Sequence, residues 1–448
     1  MGTLPNSVIL SIMTVLFLTL GYLGVPVAFA LIAGVVVGTM FTPITLQSMM
    51  GQLFNGIDSE ALMAIPFFLL VGELMTSANV VIRIADLSQA LVGHIRGGLA
   101  QVTTVFSMFF SGMSGSSSAD VAVLSRTMAQ PMAREGYRPE FVAALIAAAS
   151  TIAALVPPSI MAVVYGAIGN VSIAGLFLGG IVPGLMIGIG LMLYCYFFGP
   201  AGMRRPRSSL GHLSETARAA ALPLMIPIIL LGGILTGWFT PTEAGVIAIT
   251  YILVIVLPML NPGHLKLVPR DLVQAGLIYS LPLITIAAAS AFGWLLAYLR
   301  GPIVVAGWIA DFAGTDPRKI MFALVIVFVI VGDFIEPIPA IIIFMPVVAV
   351  LTEAGNINGV HMGVVLIVTL AFGLITPPYG LALLMASKFI GVRFATALRA
   401  SLPIYLIFFA TIAFTIFFPD AVLFLPKLVF PESVGCFKAP GGTGYICP

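Results

Sequence analysis

Charge is scarce in this chain. Only 8% of its 448 residues are Asp, Glu, Lys or Arg, against 60% hydrophobic. A soluble domain carries about 25% charge, so this chain cannot cover a globular surface with polar groups and must lie in a lipid bilayer. A net charge of +2 without a strong basic patch offers nothing for nucleic acid. Three cysteines and four histidines are too scattered for a metal cluster. Cys195 lies in an apolar run and reads as passive core, whereas Cys436 and Cys447 share a polar tail and pair only if that tail faces an oxidising compartment. Neither a G-x-x-x-x-G-K-[ST] loop nor H-E-x-x-H occurs, which excludes P-loop ATP hydrolysis and zinc proteolysis of that type. Gly112-Met113-Ser114-Gly115-Ser116 has no histidine at its depth to act as a base, because His94, His212, His264 and His361 fall in expected loops or interface segments. The chain does not read as an enzyme. No basic region precedes Val8, so the N-terminus reads as a first membrane span rather than a cleaved signal peptide.

What the chain has is apolar runs of membrane-spanning length. Spans are expected near 7–23, 25–42, 59–78, 139–168, 173–198, 222–239, 244–260, 275–298, 359–390 and 401–418. Two further apolar stretches, 98–134 and 319–354, are interrupted by Ser111–Ser118 and by Gly332–Pro339. Each reads as a re-entrant hairpin whose polar tip is buried in protein, since lipid cannot satisfy open backbone. The segment 79–97, with Arg83, Asp86, His94 and Arg96 among apolar residues, reads as an amphipathic arm along the interface.

The chain also repeats itself. Gly112, Pro157, Pro158 and Pro183 each precede Gly332, Pro377, Pro378 and Pro403 by 220 residues. The fold expected is an all-α membrane protein with inverted repeats, two re-entrant hairpins and two proline-broken helices, an organisation of transporters. Its parts are scaffold helices over 1–78, the arm over 79–97, a first transport half over 98–198 (hairpin 98–134, broken helix 139–168) and a linker over 199–218. Scaffold helices over 219–298, a second transport half over 299–418 (hairpin 319–354, broken helix 359–390) and a tail over 419–448 complete it. Placing the Arg204-Arg205-Pro206-Arg207 linker in the cytoplasm leaves 13 Lys and Arg inside and 5 outside, Arg126 set aside. That puts both termini and the tail outside, which in a bacterium is the periplasmic side.

Consecutive prolines unwind a membrane helix and free carbonyl oxygens. These hard oxygens, with nearby hydroxyls, suit a small cation. The first half offers Ser114 and Ser116 with the carbonyls near Ala153, Val156 and Pro157; the second offers the backbone of Gly332 and Ile335 with Thr376. Each hairpin also starts a helix at mid-bilayer, whose free N–H groups attract an anion. Ser117 and Ser118 at the first such start suit a carboxylate. Asp120, Asp333 and Glu336 are ionisable residues at membrane depth, which by default mark an ion or substrate path, although capping of the adjoining half-helices accounts for them equally. Arg126 either meets a substrate carboxylate or snorkels to the surface. Glu243 in Thr240-Pro241-Thr242-Glu243 reads as a capping-box partner, and Glu73 has no role by position.

Phe110-Ser111-Gly112-Met113-Ser114-Gly115-Ser116-Ser117-Ser118-Ala119-Asp120, Leu155-Val156-Pro157-Pro158-Ser159, Gly332-Asp333-Phe334-Ile335-Glu336-Pro337 and Ile375-Thr376-Pro377-Pro378-Tyr379 together resemble the large membrane subunit of tripartite ATP-independent periplasmic (TRAP) transporters, over roughly residues 5–420. The resemblance implies an elevator-type, sodium-driven symporter for organic acids in a bacterial inner membrane. A periplasmic substrate-binding protein would deliver the acid, and a small four-helix membrane subunit, expected as a separate chain, would pack alongside. It implies one Na+ site at Ser114, Ser116, Ala153, Val156 and Pro157, another at Gly332, Ile335, Ile375 and Thr376, and substrate contacts from Asp120 and Ser172. Ala153 departs from the glycine expected before the Pro-Pro pair, and the tail after Pro419 is longer than expected. The alternatives are a standalone sodium- or proton-coupled carboxylate transporter of the citrate type and, less favoured, a channel.

Overall fold

A computed structural model describes residues 4–200, 206–438 and 445–446. The first half contains α1 (Asn6–Tyr22), α2 (Val27–Met40), α3 (Leu46–Asn55), α4 (Ala64–Ser77), α5 (Val81–Val92), α6 (Leu99–Ser114), α7 (Ser117–Arg134), α8 (Pro139–Ser150), α9 (Ile160–Gly169) and α10 (Ile173–Phe198). The second contains α11 (Leu210–Leu235), α12 (Pro241–Tyr251), α13 (Leu257–Leu260), α14 (Val268–Tyr298), α15 (Gly301–Ala313), α16 (Pro317–Phe334), α17 (Pro337–Ala354), α18 (Gly359–Gly373), α19 (Leu381–Ile390) and α20 (Phe394–Phe417). Helix α21 (Pro419–Val429) follows, and the strands described are two antiparallel two-residue pieces, Phe437–Lys438 and Tyr445–Ile446.

The 220-residue offset read from four landmarks extends to whole elements. Helices α7 and α17 start at 117 and 337 and end at 134 and 354, and α8 and α18 start at 139 and 359. The arm α5 has its counterpart in α15, a helix that the sequence pattern did not set apart from the second transport half. Packing follows the same symmetry. Helix α9 lies against α17 as α19 lies against α7, and α6 packs on α8 as α16 packs on α18. Each half thus completes the other's core. The scaffold forms around α14, which contacts α2, α3 and α4, while α12 bridges α4 and α11.

Spans are fewer by length than expected. Six helices are long and apolar enough to cross a membrane, or seven if the bent pair α4–α5 counts as one, among the described residues. Helices α1, α2 and α4 have 17, 14 and 14 residues, which at 1.5 Å per residue falls short of a ~30 Å hydrocarbon core. The broken helices are two short pieces each. The hairpin interruptions are also narrower than expected: α6 continues through Ser111 to Ser114, and α16 through Gly332 to Phe334. Helix α11 begins at Leu210, inside the stretch read as linker, because the Ser209 hydroxyl caps it by accepting the His212 N–H at 3.2 Å; Arg204 and Arg205 lie outside the described residues. The Thr240–Glu243 capping box is present as expected.

The tail has a place in the fold. Helix α21 packs on α10 and α18, and Asn358 Nδ2 donates to the Val434 carbonyl at 3.0 Å, tying the tail to the start of α18. Cys436 is disulfide-bonded; Cys447, its expected partner, lies outside the described residues. The helix α10 approaches the first proline break so closely that a Cβ on Gly180 would fall 2.4 Å from the Leu155 carbonyl oxygen. Gly180→Val should therefore destabilise the protein by about 1–3 kcal/mol, the usual penalty for overpacking, and lower the unfolding midpoint of the detergent-purified chain. Gly232→Val, where nothing lies within 4 Å, should leave the midpoint unchanged.

Candidate functional site

The first hairpin turns at Gly115, which adopts the left-handed conformation at φ 59°. A side chain there is excluded twice, by that conformation and by the Pro158 carbonyl oxygen 2.3 Å from where a Cβ would sit. The Ile160 N–H donates to the Gly115 carbonyl at 3.2 Å, so the tip is fastened to the first proline break. Ser116 caps α7, its hydroxyl accepting the Ala119 N–H at 3.5 Å and lying 3.1 Å from that of Ser118. The Ser117 hydroxyl is buried without a hydrogen-bond partner. Asp120 is fully buried one turn into α7, accepting from Ser111 at 2.8 Å and from Ser114. Neither oxygen goes to a free backbone N–H, so this carboxylate ties α7 to α6 across the hairpin rather than capping the helix.

Beyond α8 the chain tightens into a 3-10 turn, Thr151–Ala154, and then opens at Leu155–Pro158, with a cis Pro157–Pro158 bond. The Ser159 hydroxyl donates to the Ala154 carbonyl and accepts the Ala162 N–H at 3.3 Å, so one residue both closes the break and starts α9. Gly112 faces the break, its Cβ position 3.6 Å from the Pro157 carbonyl oxygen. The turn carrying Ala153 packs on α6. Ser114, Ser116, Ala153, Val156 and Pro157 therefore gather where the hairpin meets the break.

The second half reaches the same arrangement with different chemistry. Gly332 and Gly373 bring α16 and α18 into backbone contact, a Cβ on Gly373 falling 3.1 Å from Gly332 Cα. Thr376 Oγ1 donates to Asp333 Oδ1 at 2.5 Å, and the Tyr379 N–H donates to the Asp333 carbonyl at 3.2 Å. Tyr405 donates to the Ile375 carbonyl at 2.7 Å. Asp333 thus joins hairpin to break and does not cap a half-helix. Ile335 turns the chain in an extended conformation, and Glu336 occupies the cap position of α17 without a side-chain cap hydrogen bond. Gly332, Ile335, Ile375 and Thr376 lie together around a second cis Pro-Pro bond, Pro377–Pro378. Both clusters present carbonyl and hydroxyl oxygens, with a carboxylate one hydrogen bond away, a donor set that fits a hard monovalent or divalent cation.

Between the two tips is a cavity of about 290 Å³. Gly115–Ser118 and Glu336–Pro339 line it from the hairpins, Leu374, Leu381 and Ala382 from the second break, and Thr285 from the scaffold. The N-termini of α7 and α17 both end on it, and among the described residues no Lys, Arg or His lines it. Free N–H groups at the start of α7 are its main source of positive potential, since Pro337 and Pro339 leave the first three residues of α17 only the Ile338 N–H. Of the expected substrate residues, Ser117 and Ser118 are on the cavity. Asp120 lies behind the tip. Ser172 is elsewhere, capping α10 by accepting the Gly175 N–H at 3.2 Å, and Arg126 lines a different cavity.

That other cavity, about 860 Å³, separates α7 from the scaffold. It breaks the symmetry of the halves. Helix α17 lies packed along α14 and α15, whereas α7 touches α4 only slightly. On its scaffold wall, His264 Nε2 and Asp271 Oδ2 lie 2.7 Å apart, and Ser77 Oγ is 2.9 Å from that carboxylate and 3.1 Å from the same His264 nitrogen. His264 is buried, contrary to its expected loop position, as is His361, whose ring contacts the Thr415 carbonyl at 2.7 Å. Serine and aspartate share one histidine nitrogen, an arrangement that cannot relay a proton from serine through the ring. The cluster fastens the end of α4 to α14, and Asn261 Nδ2 adds a bond to the Ala78 carbonyl at 3.0 Å, at the 76° bend between α4 and α5. Ser77 and His264 are 187 residues apart in sequence, which no local pattern reveals.

Comparison with known proteins agrees with this architecture. Residues 14–421 match the family model described as the tripartite ATP-independent periplasmic transporter, DctM component. The chain is 36% identical over 400 residues to the C4-dicarboxylate TRAP transporter large permease protein DctM of Pseudomonas aeruginosa, covering 88% of this chain and 93% of that one. It is 34% identical over 415 residues to the sialic acid TRAP transporter large permease protein SiaM of Vibrio cholerae, covering 92% and 97%. The ectoine/5-hydroxyectoine TRAP transporter large permease protein UehC of Ruegeria pomeroyi is 33% identical over 415 residues, again covering 92% and 97%. Among solved structures, the YdaH transporter of Alcanivorax borkumensis superposes with a TM-score of 0.56 at 15% identity, over 84% of this chain and 89% of that one, a likeness of fold alone. With the family model spanning nearly the whole length and these relatives matched end to end, the chain belongs to the DctM component family of tripartite ATP-independent periplasmic transporters, as a multi-pass large permease.

Proposed function

We propose that the chain is the sodium-coupled permease of an importer for a small organic acid. A periplasmic binding protein hands over the acid, and a small four-helix membrane subunit packs beside the permease in a bacterial inner membrane, with both termini on the periplasmic side. The observation that carries this reading is the 290 Å³ cavity on which both hairpin tips converge. Two half-helix N-termini and the Ser117 and Ser118 hydroxyls offer a carboxylate its counter-dipoles there. The flanking clusters, Ser114, Ser116, Ala153, Val156 and Pro157 on one side and Gly332, Ile335, Ile375 and Thr376 on the other, hold Na+. Sodium offsets the substrate's charge in a cavity lined by the Glu336 carboxylate and by no basic side chain. Asp120 acts through Ser114 and Ser111, holding the tip in the shape that sodium and substrate require. Relatives named for C4-dicarboxylate and sialic acid support an organic-acid cargo.

The unequal docking of α7 and α17 supports an elevator-type mechanism. The first-half side is open and the second-half side closed, and exchanging the two packings would expose the cavity on the other face of the membrane. A channel needs no such exchange.

Reconstituted in proteoliposomes with its membrane and binding-protein partners, the permease should show saturable uptake that requires a sodium gradient and is lost when the binding protein is left out. Sodium-independent or unsaturable flux would refute the reading. Thr376→Ala and Ser116→Ala should each raise the sodium concentration for half-maximal uptake by about 3- to 10-fold, corresponding to loss of one oxygen contact of roughly 1 kcal/mol, with membrane expression retained. A parental sodium response in both would remove the ion-site assignment.

A further inference from the structure

The two halves place one pair of positions very differently. On the closed side, Gly293 of α14 meets the backbone of α17: a Cβ on Gly293 would lie 3.5 Å from the Ile342 carbonyl oxygen and from Ile343 Cα. The 220-residue offset maps Gly293 onto Glu73 of α4, and Ile342 and Ile343 onto Ala122 and Val123 of α7. Glu73 and Val123 both line the open 860 Å³ cavity, and Arg126 lines it one turn beyond Val123. When α7 docks on α4 as α17 docks on α14, Glu73 is covered by α7. A carboxylate enclosed this way needs a partner, and Arg126, which lines the same cavity, is carried in by the same helix. No ion pair joins them in this structure, among the described residues. The cavity's other candidates are less available: the Asp271 carboxylate is held by Ser77 and His264, Arg270 stands on the scaffold beside Asp271, and Asp86 on α5 also borders a second cavity with Arg83 and His212.

Building on the alternating-access reading above, we propose that Glu73 and Arg126 are the inner gate of this permease, an ion pair absent in the state seen here and made when α7 closes on the scaffold. Its formation stabilises the state open to the opposite face. Glu73 thereby has a role that its position in the sequence does not suggest. Arg126 acts as a positioning residue of the moving hairpin and does not contact the acid.

The test reads the population of the alternate state without needing the cargo. Ile343, buried under α14 here, becomes accessible when α17 leaves α14. Ile343→Cys is labelled in intact cells with a membrane-impermeant maleimide, with Ile342→Cys as a second reporter on the same contact. The endogenous free thiol described, Cys195, is buried. In a sodium medium the parent should label slowly. Arg126→Glu and Glu73→Arg should each slow labelling about tenfold, within the range for contacting charge pairs, and the double reversal should restore the parental rate. Single reversals that label at the parental rate, or a double reversal no faster than the singles, overturn the gate and leave alternating access standing. If neither reporter is labelled in the parent, α17 does not leave the scaffold, and the gate and the elevator reading fall together.

Discussion

A helix interrupted inside a bilayer must find partners for its freed peptide groups within the protein, because lipid supplies none. This permease interrupts its chain at four such places, two hairpin tips and two Pro-Pro breaks, and stacks each tip on a break. The fastening is made by backbone: Ile160 to Gly115 in the first half, Tyr379 to Asp333 in the second. Glycines at 115 and 373 admit that approach, because a Cβ would fall 2.3 Å from the Pro158 carbonyl oxygen at the first and 3.1 Å from the Gly332 backbone at the second. The remaining oxygens and N–H groups are concentrated in two clusters and one small cavity.

The halves share a backbone plan but not a chemistry. In the first, Ser111 and Ser114 donate to a carboxylate on the returning helix, Asp120. In the second, Thr376 on the broken helix donates to a carboxylate on the entering helix, Asp333. The position equivalent to Asp333 is Met113, and that equivalent to Thr376 is Val156. An acid fastened by hydroxyls therefore sits beside each tip by independent routes. The two acids do not occupy equivalent positions of the repeat, so this feature is not simply carried over from a duplicated ancestor.

Identical folds need not dock identically. The scaffold presents α4 to α7 and α14 to α17 through one internal symmetry, yet one pair is packed and the other is held apart by a large polar cavity. The scaffold side of that cavity is fastened at the α4–α5 bend by Ser77, Asp271, His264 and Asn261. The bend gives the arm α5 a firm origin, and α5 in turn contacts α6 of the hairpin.

Much was legible in the linear sequence: the membrane class from the shortage of charge, the duplication from glycine and proline spacing, and the hairpins and breaks from polar and proline interruptions of apolar runs. Those signals are local or periodic. The sequence overstated the length of the hairpin tips, because serines that look like a loop remain helical once their hydroxyls find Asp120. It placed Ser172, and as one of two alternatives Arg126, with the substrate, whereas one caps α10 and the other lines the cavity against the scaffold, since distance along a helix says nothing about which cavity a side chain enters. It read His264 and His361 as loop or interface residues, whereas both are buried, because their partners Ser77 and Thr415 come from distant parts of the chain. The residue inventory and the repeat set what the protein is made to do. Only the three-dimensional packing, where contacts between distant segments decide burial and docking, settled which half stands open and which charges face each other across the gap.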